Sequence, residues 1–387
     1  MKRTINVGLV GYKFMGKAHS NAFKKLGMFF DPDAEVVMKA ICGRDEEGVR
    51  EAAAKFGWES YETDWKKLIA REDIDVIDIT APSNYHKEIA IAAAEAGKHI
   101  FCEKPLALNL EDARAIHDAV EKHGIKHQIG FNYRFCPALC LAKKMIDEGR
   151  LGKLFHFRGM FLQDWIIDPD FPKVWRLDKK VAGSGSLGDL GAHVIDTARF
   201  LVGDVARVIG MSKTFVKKRP LVEKMTGLSG KAAADAVMSE VDVDDATMFM
   251  GEFENGALMT LEATRFAMGH KNAMSFEING EKGSIKFEFE RMNELMFFDA
   301  TVEEGLQGWS MIQVSEGIHP YWGHWWPGGH VIGYEHTFVH EMYEFIQSIV
   351  HNSPASPDFT DGEKCSQIIE AVEKSIEQKA WVEVKSL

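Results

Sequence analysis

The stretch VGLVGYKFMGKAHS, residues 7–20, decides how the first third of the chain is read. Residues 4–10 are a β-branched apolar run with the character of a buried strand, and the residues after Met15 read as a helix. Between them, Gly11 can take the backbone of a tight turn and Gly16 can let strand and helix pack closely. A glycine turn between a strand and a helix is the context in which backbone amides and a helix N-terminus cradle the pyrophosphate of a dinucleotide. One position departs from that fingerprint. Lys13 stands where a second glycine ordinarily lets the backbone approach phosphate, so its side chain must point outwards, either to touch a cofactor phosphate or to face solvent. Phe14 and Met15 complete the expected cofactor turn.

The second half of such a site is an acid at the end of the second strand, bonded to the adenine ribose. Here that strand ends AICGRDEE, with Gly43 at the acid's position and Arg44 after it. Arginine there can hold a ribose 2′-phosphate, as NADP requires, or stack on adenine, which suits NAD or NADP. Asp45 is the alternative ribose contact.

Working outward, the strand-like runs TINVGLV, EVVMKAIC, DVIDIT, HIFCE and KHQIGF alternate with amphipathic segments such as SNYHKEIAIAAAEAGK and LEDARAIHDAVEKHG up to about residue 130. That alternation predicts a doubly wound parallel sheet covered by helices. Beyond residue 130 it stops. Helices are expected near 138–149 and 186–202, followed by antiparallel hairpins in 245–266 and 272–290, broken at NG and EKG turns. Residues 301–333 form a long aperiodic excursion, and two helices, roughly 334–351 and 361–379, close the chain. The fold class is therefore α/β, divided into a dinucleotide-binding domain over 1–130 and an α+β domain over 131–387.

The chain has 387 residues, 45% of them hydrophobic, and a formal charge of −12. That is material for two cores, and an acidic balance argues against nucleic-acid or anionic-membrane partners. The N-terminus lacks the apolar core of a signal peptide and no segment is apolar enough to span a bilayer. Five scattered cysteines, Cys42, Cys102, Cys136, Cys140 and Cys365, suit a reducing, cytoplasmic compartment better than a disulfide or zinc framework.

Three more signatures follow the turn in order: TAPSNYH at 80–86, CEKPLA at 102–107 and GSGSLGDLGAHVID at 183–196. With these, the chain resembles the glucose-fructose oxidoreductase and inositol dehydrogenase family (Gfo/Idh/MocA) over nearly its whole length. The resemblance implies a Rossmann domain followed by an open-faced, largely antiparallel sheet, and it assigns substrate binding and oligomerisation to the domain over 131–387. It also implies NAD or NADP, with NAD somewhat favoured, sugars or cyclitols as substrates, and assembly into homodimers or a homotetramer. DWIIDPDFPKVWRLDKK, residues 164–180, further resembles members of the levoglucosan dehydrogenase kind, which act on glycosides or anhydrosugars.

Oxidising a secondary alcohol needs a base for the hydroxyl proton and a polar group on its oxygen. His193 is the candidate base, since an unperturbed imidazole titrates near neutrality. Asp189, four residues earlier, shares its helix face. Lys104 ends a strand that Pro105 prevents from continuing, at the carboxyl edge where doubly wound sheets bind ligands, and the resemblance assigns it to the reacting hydroxyl. Thr80, Pro82, Asn84 and Glu103 are expected at the cofactor, and His86 is either an ordinary helix-start residue or a contact at the cofactor's edge. Tyr133, Arg134, Asp164, Trp165, Arg176 and Tyr334 are expected around the sugar, where aromatic faces and charged donors suit a polyhydroxylated ring. The cluster HPYWGHWWPGGH, 319–330, is read as a pocket lid or a subunit contact.

Two other chemistries compete. His336 and His340 have helical metal-ligand spacing, with His324 and His330 nearby, but Thr337 stands where a zinc protease would carry glutamate, and no metal is expected. The same fold could also run a redox-assisted glycosidase reaction, in which transient oxidation permits an elimination and the cofactor is regenerated. A cofactor-binding sensor without catalysis fits less well, because it gains little from Lys104, Asp189 and His193 together.

Overall fold

The run that opens the chain is an interior strand. In the computed structural model, which describes residues 2–222 and 236–387, Ile5, Val7 and Leu9 are fully buried. Six parallel strands, β1 (Arg3–Val10), β2 (Ala34–Cys42), β3 (Ser60–Glu62), β4 (Val76–Ile79), β5 (His99–Glu103) and β6 (His127–Gly130), assemble in the order β3-β2-β1-β4-β5-β6. The expected doubly wound sheet is present, with β3 as a short edge strand too brief to show in the apolar pattern. Helices α1 (Phe14–Phe29), α2 (Glu46–Phe56), α3 (Trp65–Ile69), α4 (His86–Glu95) and α5 (Leu110–His123) make the crossovers. The Asn109 side chain accepts the Asp112 amide to start α5, and α2 and α5 end at Gly57 and Gly124. The strand order reverses between β1 and β4, which brings their carboxyl ends, Gly11 and Thr80, together at the switch point where such sheets bind ligands.

Two compact units make up the chain, residues 1–136 with 315–364 and residues 137–314 with 365–387. In the second, β7 (Leu154–Leu162), β8 (Val205–Lys213), β11 (Ala246–Phe253), β12 (Leu258–Thr264), β13 (Ala273–Gly280), β14 (Gly283–Glu288), β15 (Glu294–Asp299), β16 (Trp309–Gln313) and β17 (Val382–Glu383) form one sheet in the order β16-β15-β14-β13-β7-β12-β11-β8-β17. Strands β9 (Lys218–Pro220) and β10 (Met238–Glu240) pair separately. Every neighbouring pair in the large sheet is antiparallel except β12 with β7. The pleat sends Phe157, Phe161, Phe249, Leu261 and Phe276 to a buried face, while Met160, Met248, Met250 and Leu258 stand exposed on the other. Helices α6 (Pro137–Asp147), α7 (Lys179–Ala182) and α8 (Ala192–Val202) belong to this unit, and α8 packs against β7.

The second boundary differs from the expected division at 130/131. Residues 315–364, assigned from sequence to the second domain, return to the first unit. Helix α9 (Tyr334–Val350) lies against α1, and its Phe338, Val339, Met342, Phe345, Ile346 and Ile349 share one core with Ile5, Val7, Leu9, Phe23 and Leu26. Helix α10 (Phe359–Gln378) follows. The cause is apolar area: the buried face of α9 completes a core that the first 136 residues leave open.

The aromatic excursion packs onto the same unit. Trp322 is 1% exposed and its indole donates to the Trp326 carbonyl. Tyr321 stacks on His340 and His324 stacks on Phe30. His340 sits between the Phe135 carbonyl, 2.8 Å from Nδ1, and the Trp325 indole, which donates to Nε2 at 2.7 Å. Both ring nitrogens are occupied, which suits a core histidine rather than a metal ligand. Burial, against the Phe135 carbonyl bond, lowers its pKa to about 3. An unfolded histidine takes up its proton near pH 6.5, so between these values the unfolded state binds more protons and stability falls as the pH falls. The expected slope from this group is up to about 1.4 kcal/mol per pH unit below 6.5. Urea denaturation from pH 7 to pH 5 measures it, and a His340→Gln variant should show a dependence shallower by about one proton. An equal slope in the two proteins would rule the histidine out.

Candidate active site

At the end of β1 the chain turns with no room to spare. Gly11 has φ 109°, and a Cβ on it would lie 2.7 Å from the Thr80 hydroxyl oxygen. A Cβ on Gly16 would meet the Gly11 carbonyl oxygen at 2.1 Å, so the first turn of α1 crosses the end of the strand at backbone contact. Thr80 donates its hydroxyl to the carbonyls of Val10 and Gly11, both at 3.0 Å. Lys13 has an ordinary negative φ of −80° and is exposed, so this position needs no glycine. Its ammonium lies 4.5 Å from the Tyr12 ring centroid. The first turn of α1 carries no acidic residue, and its open amides fit a pyrophosphate.

Tyr12 covers the end of β2. A Cβ on Gly43 would lie 2.3 Å from its ring, and its hydroxyl donates to Asp45 at 3.3 Å. Arg44 turns to Tyr85, donating to the phenol at 3.0 Å with the guanidinium 5.4 Å from the ring centroid. Pro82 precedes the short turn Ser83–Tyr85, on which Asn84 is exposed.

Two residues expected at the cofactor are turned inward. His86 is 1% exposed; its Nδ1 lies 2.8 Å from the Pro105 carbonyl and its Nε2 2.9 Å from that of Ala81. A neutral ring carries one N–H, so it donates to one of these carbonyls, which lie in the loops after β4 and β5. Burial lowers its pKa despite those carbonyls. Glu103 is 5% exposed, bonded to His19 at 3.0 Å through Oε1 and accepting the Lys104 amide at 3.2 Å through Oε2. Lys104 itself is half-buried at the carboxyl end of the sheet.

The second unit builds its chemistry on the glycine-rich loop 183–188. Asp244 clamps it: one carboxylate oxygen accepts the Gly185 amide at 2.7 Å, the other the Ser186 hydroxyl at 2.5 Å, the Leu187 amide at 2.9 Å and the Thr247 hydroxyl at 2.8 Å. A Cβ on Gly185 would lie 1.8 Å from the Asp244 carbonyl oxygen. The helix then opens with a wide π turn, Leu187–Gly191, a device frequent at functional sites. Asp189 lies on that turn and His193, 7% exposed with its ring 6.1 Å from Phe161, on the next. Asp189 Oδ2 accepts from Arg265 at 2.9 Å, with Arg176 at 3.9 Å. The Arg265 guanidinium is fully buried 5.8 Å from the Trp165 ring centroid, and Arg176 lies over Trp175. Asp189, Arg176 and Trp165, each read from sequence as a sugar contact, are gathered around Arg265.

Of the other residues read as sugar contacts, Asp164, Arg134 and Tyr133 are engaged or buried within the protein, and Tyr334 is half-buried. Asp164 accepts from the Gly269 amide at 3.0 Å and Lys271 at 2.7 Å; the lysine bond and that amide hold its carboxyl below the usual range against slight burial. It ties one loop to another. Arg134, 6% exposed, pairs with Asp361 at 3.1 Å, and Tyr133 is 4% exposed. Tyr334 begins α9, half-buried, with its ring edge on Phe338. Sequence reasoning missed Arg265, Asp244, Tyr12 and His19. A charged residue ending an apolar strand, as in LEATRF, is the one signal that pointed to Arg265.

With the two sites in view, comparisons with known proteins decide the family. Residues 5–131 match the model of an oxidoreductase family with an NAD-binding Rossmann fold, and residues 140–286 match the GFO/IDH/MocA C-terminal domain. The chain belongs to the Gfo/Idh/MocA oxidoreductase family. Levoglucosan dehydrogenase of Pseudarthrobacter phenanthrenivorans is 43% identical over 388 residues, 100% of this chain and 99% of that protein. A solved levoglucosan dehydrogenase in complex with NADH and levoglucosan has a TM-score of 0.93 at 43% identity, covering 99% of this chain and 100% of that one. An oxidoreductase domain protein from Kribbella flavida gives 0.94 at 45%, again over 99% and 100%. The fold expected from sequence is the fold of this family, and the oxidoreductase assignment stands.

Proposed function

We propose that this oxidoreductase is an NAD-dependent dehydrogenase acting on a ring hydroxyl of a sugar of the anhydrosugar or glycoside type. The observation that carries it is the Asp189 carboxylate, fixed by Arg265 and Arg176 one turn before His193, in a chain similar end to end to a levoglucosan dehydrogenase. In this reading His193 accepts the hydroxyl proton, Lys104 and Asp189 orient the alcohol, and Trp165, Arg176 and Tyr334 contact the ring. Bound nicotinamide supplies the hydride acceptor.

NAD over NADP is supported by Asp45. Its carboxylate, reached by the Tyr12 hydroxyl, stands at the end of β2 where a 2′-phosphate would meet like charge, while Arg44 is drawn to Tyr85. Assembly with a second copy through the open face of the large sheet is supported by its exposed apolar side chains. Met211 and Met248 are opposite one another at 67% and 46% exposure, Met250 lies two residues beyond Met248 on the same strand, and Met160 stands across the sheet beyond Glu262. No described helix is long and apolar enough to cross a membrane. Among the described residues none of the five cysteines forms a disulfide, which favours the cytoplasm.

Incubation with NAD and levoglucosan or related sugars should form reduced cofactor, and His193→Ala should lower kcat by about 10²- to 10⁴-fold. Aglycone release from a glycoside without net reduced cofactor would replace oxidation by elimination; a fully active His193→Ala variant would remove the base. Replacing Asp45 by Ser should lower the NAD-over-NADP ratio of binding constants, read by fluorescence quenching, by about tenfold or more, and an unchanged ratio would locate the choice elsewhere. Light scattering should report at least a dimer, reduced to a monomer in a Met248→Lys, Met250→Lys double variant; a monomeric wild type refutes that contact.

A further inference from the structure

Beneath the cofactor turn lies an ionic cluster that none of these roles uses. His19, in the second turn of α1, is fully buried. Its Nδ1 lies 3.0 and 2.9 Å from the two carboxylate oxygens of Asp78 on β4, and its Nε2 lies 3.0 Å from Glu103 at the end of β5. An ionised carboxylate accepts and does not donate, so satisfying both contacts requires a proton on each ring nitrogen. Burial opposes that charge, but Asp78 and then Glu103, by charge and hydrogen bond, outweigh it and hold the pKa of His19 well above the usual histidine range.

Glu341 of α9 faces the same cluster. Burial, reinforced by Glu103 and Asp78 and opposed by His19, raises its carboxyl well above the usual range. The rings of Phe101 and Phe338 complete the surround. Burial also raises the Asp78 carboxyl, against the charge and hydrogen bond of His19; the two-sided bonding of the ring is satisfied when the cluster is one buried cation between two carboxylates, with charge-assisted bonds on both sides.

Its geometry leads to Lys104. Glu103 offers one oxygen to His19 and the other to the Lys104 amide. On the far side of Lys104, the Pro105 carbonyl lies 2.8 Å from His86 Nδ1. The main chain is thus bounded immediately before and after the lysine, by histidines from α1 and from the start of α4.

We propose that His19 is a positioning residue of the active site, which through its bridge from Asp78 to Glu103 fixes the main chain from which Lys104 presents its ammonium. This rests on the reading of Lys104 as the group that orients the reacting hydroxyl. A neutral side chain at position 19 leaves Glu103 without its cation, frees that carboxylate to turn towards the lysine, and alters where the ammonium lies.

The test is a double-mutant cycle on the full-length enzyme with NAD and its best sugar. His19→Gln should lower kcat about tenfold and shift the pH profile of kcat, but in a Lys104→Ala background it should lower kcat less than about twofold, because both changes act on one interaction. Equal losses in the two backgrounds would make His19 merely structural and overturn the proposal. A fully active Lys104→Ala variant would instead overturn the reading of the lysine. Should His19→Gln fail to fold, Asp78→Asn, which keeps an acceptor for Nδ1, takes its place in the cycle. Ring ¹⁵N spectra, with the His19 signals assigned by their loss in whichever variant folds or their shift in Asp78→Asn, read the cluster without turnover. Both His19 nitrogens should be protonated at neutral pH in the wild type, and a neutral ring there would also overturn the proposal.

Discussion

The contact between the first turn of α1 and the end of β1 sets much of the first unit. Because Gly16 has no side chain, α1 starts directly against the Gly11 carbonyl. That start aims the open amides of the helix at the sheet edge, and one turn later it carries His19 into the interior, where Asp78 and Glu103 wait on adjacent strands. A helix displaced by a methyl group would lose both the close approach at Gly11 and the buried bonds of His19. The lysine in the turn needs no positive φ, and its side chain lies outside.

The second unit uses the same logic with different atoms. There an aspartate, not a helix, fixes the loop: Asp244 gathers two amides and two hydroxyls so that the π turn begins in one register. The π turn sets the spacing between Asp189 and His193, and Arg265, shielded from water, holds the carboxylate. In both units a carboxylate is steadied by a buried ion of opposite sign, Glu103 by His19 and Asp189 by Arg265. Electrostatic attraction is strong and little screened in such places, so each pairing gives positional rigidity rather than net stability.

Local patterns in the sequence revealed local structure. The β-branched runs gave five of the six parallel strands, the NG and EKG turns gave the two hairpins, and the ordered motifs gave the family. What escaped was whatever depends on distant residues meeting. Glu103 and His86 look like surface groups of a cofactor loop until Asp78, His19 and Pro105 are seen around them. Arg134 and Asp164 read as sugar contacts because nothing nearby in the chain betrays Asp361 or Lys271. The return of α9 escaped for the same reason: its apolar face announces a core without saying whose.

That return has a consequence for biosynthesis. The first 136 residues emerge from the ribosome with the whole parallel sheet, yet the seats for Phe338, Met342 and Phe345 beside Phe23, Leu26 and Phe101 stay empty until some two hundred further residues have been translated. During that interval the nascent chain holds a nearly finished domain with one greasy flank uncovered, the circumstance in which a chaperone or a neighbouring polysome has most to bind.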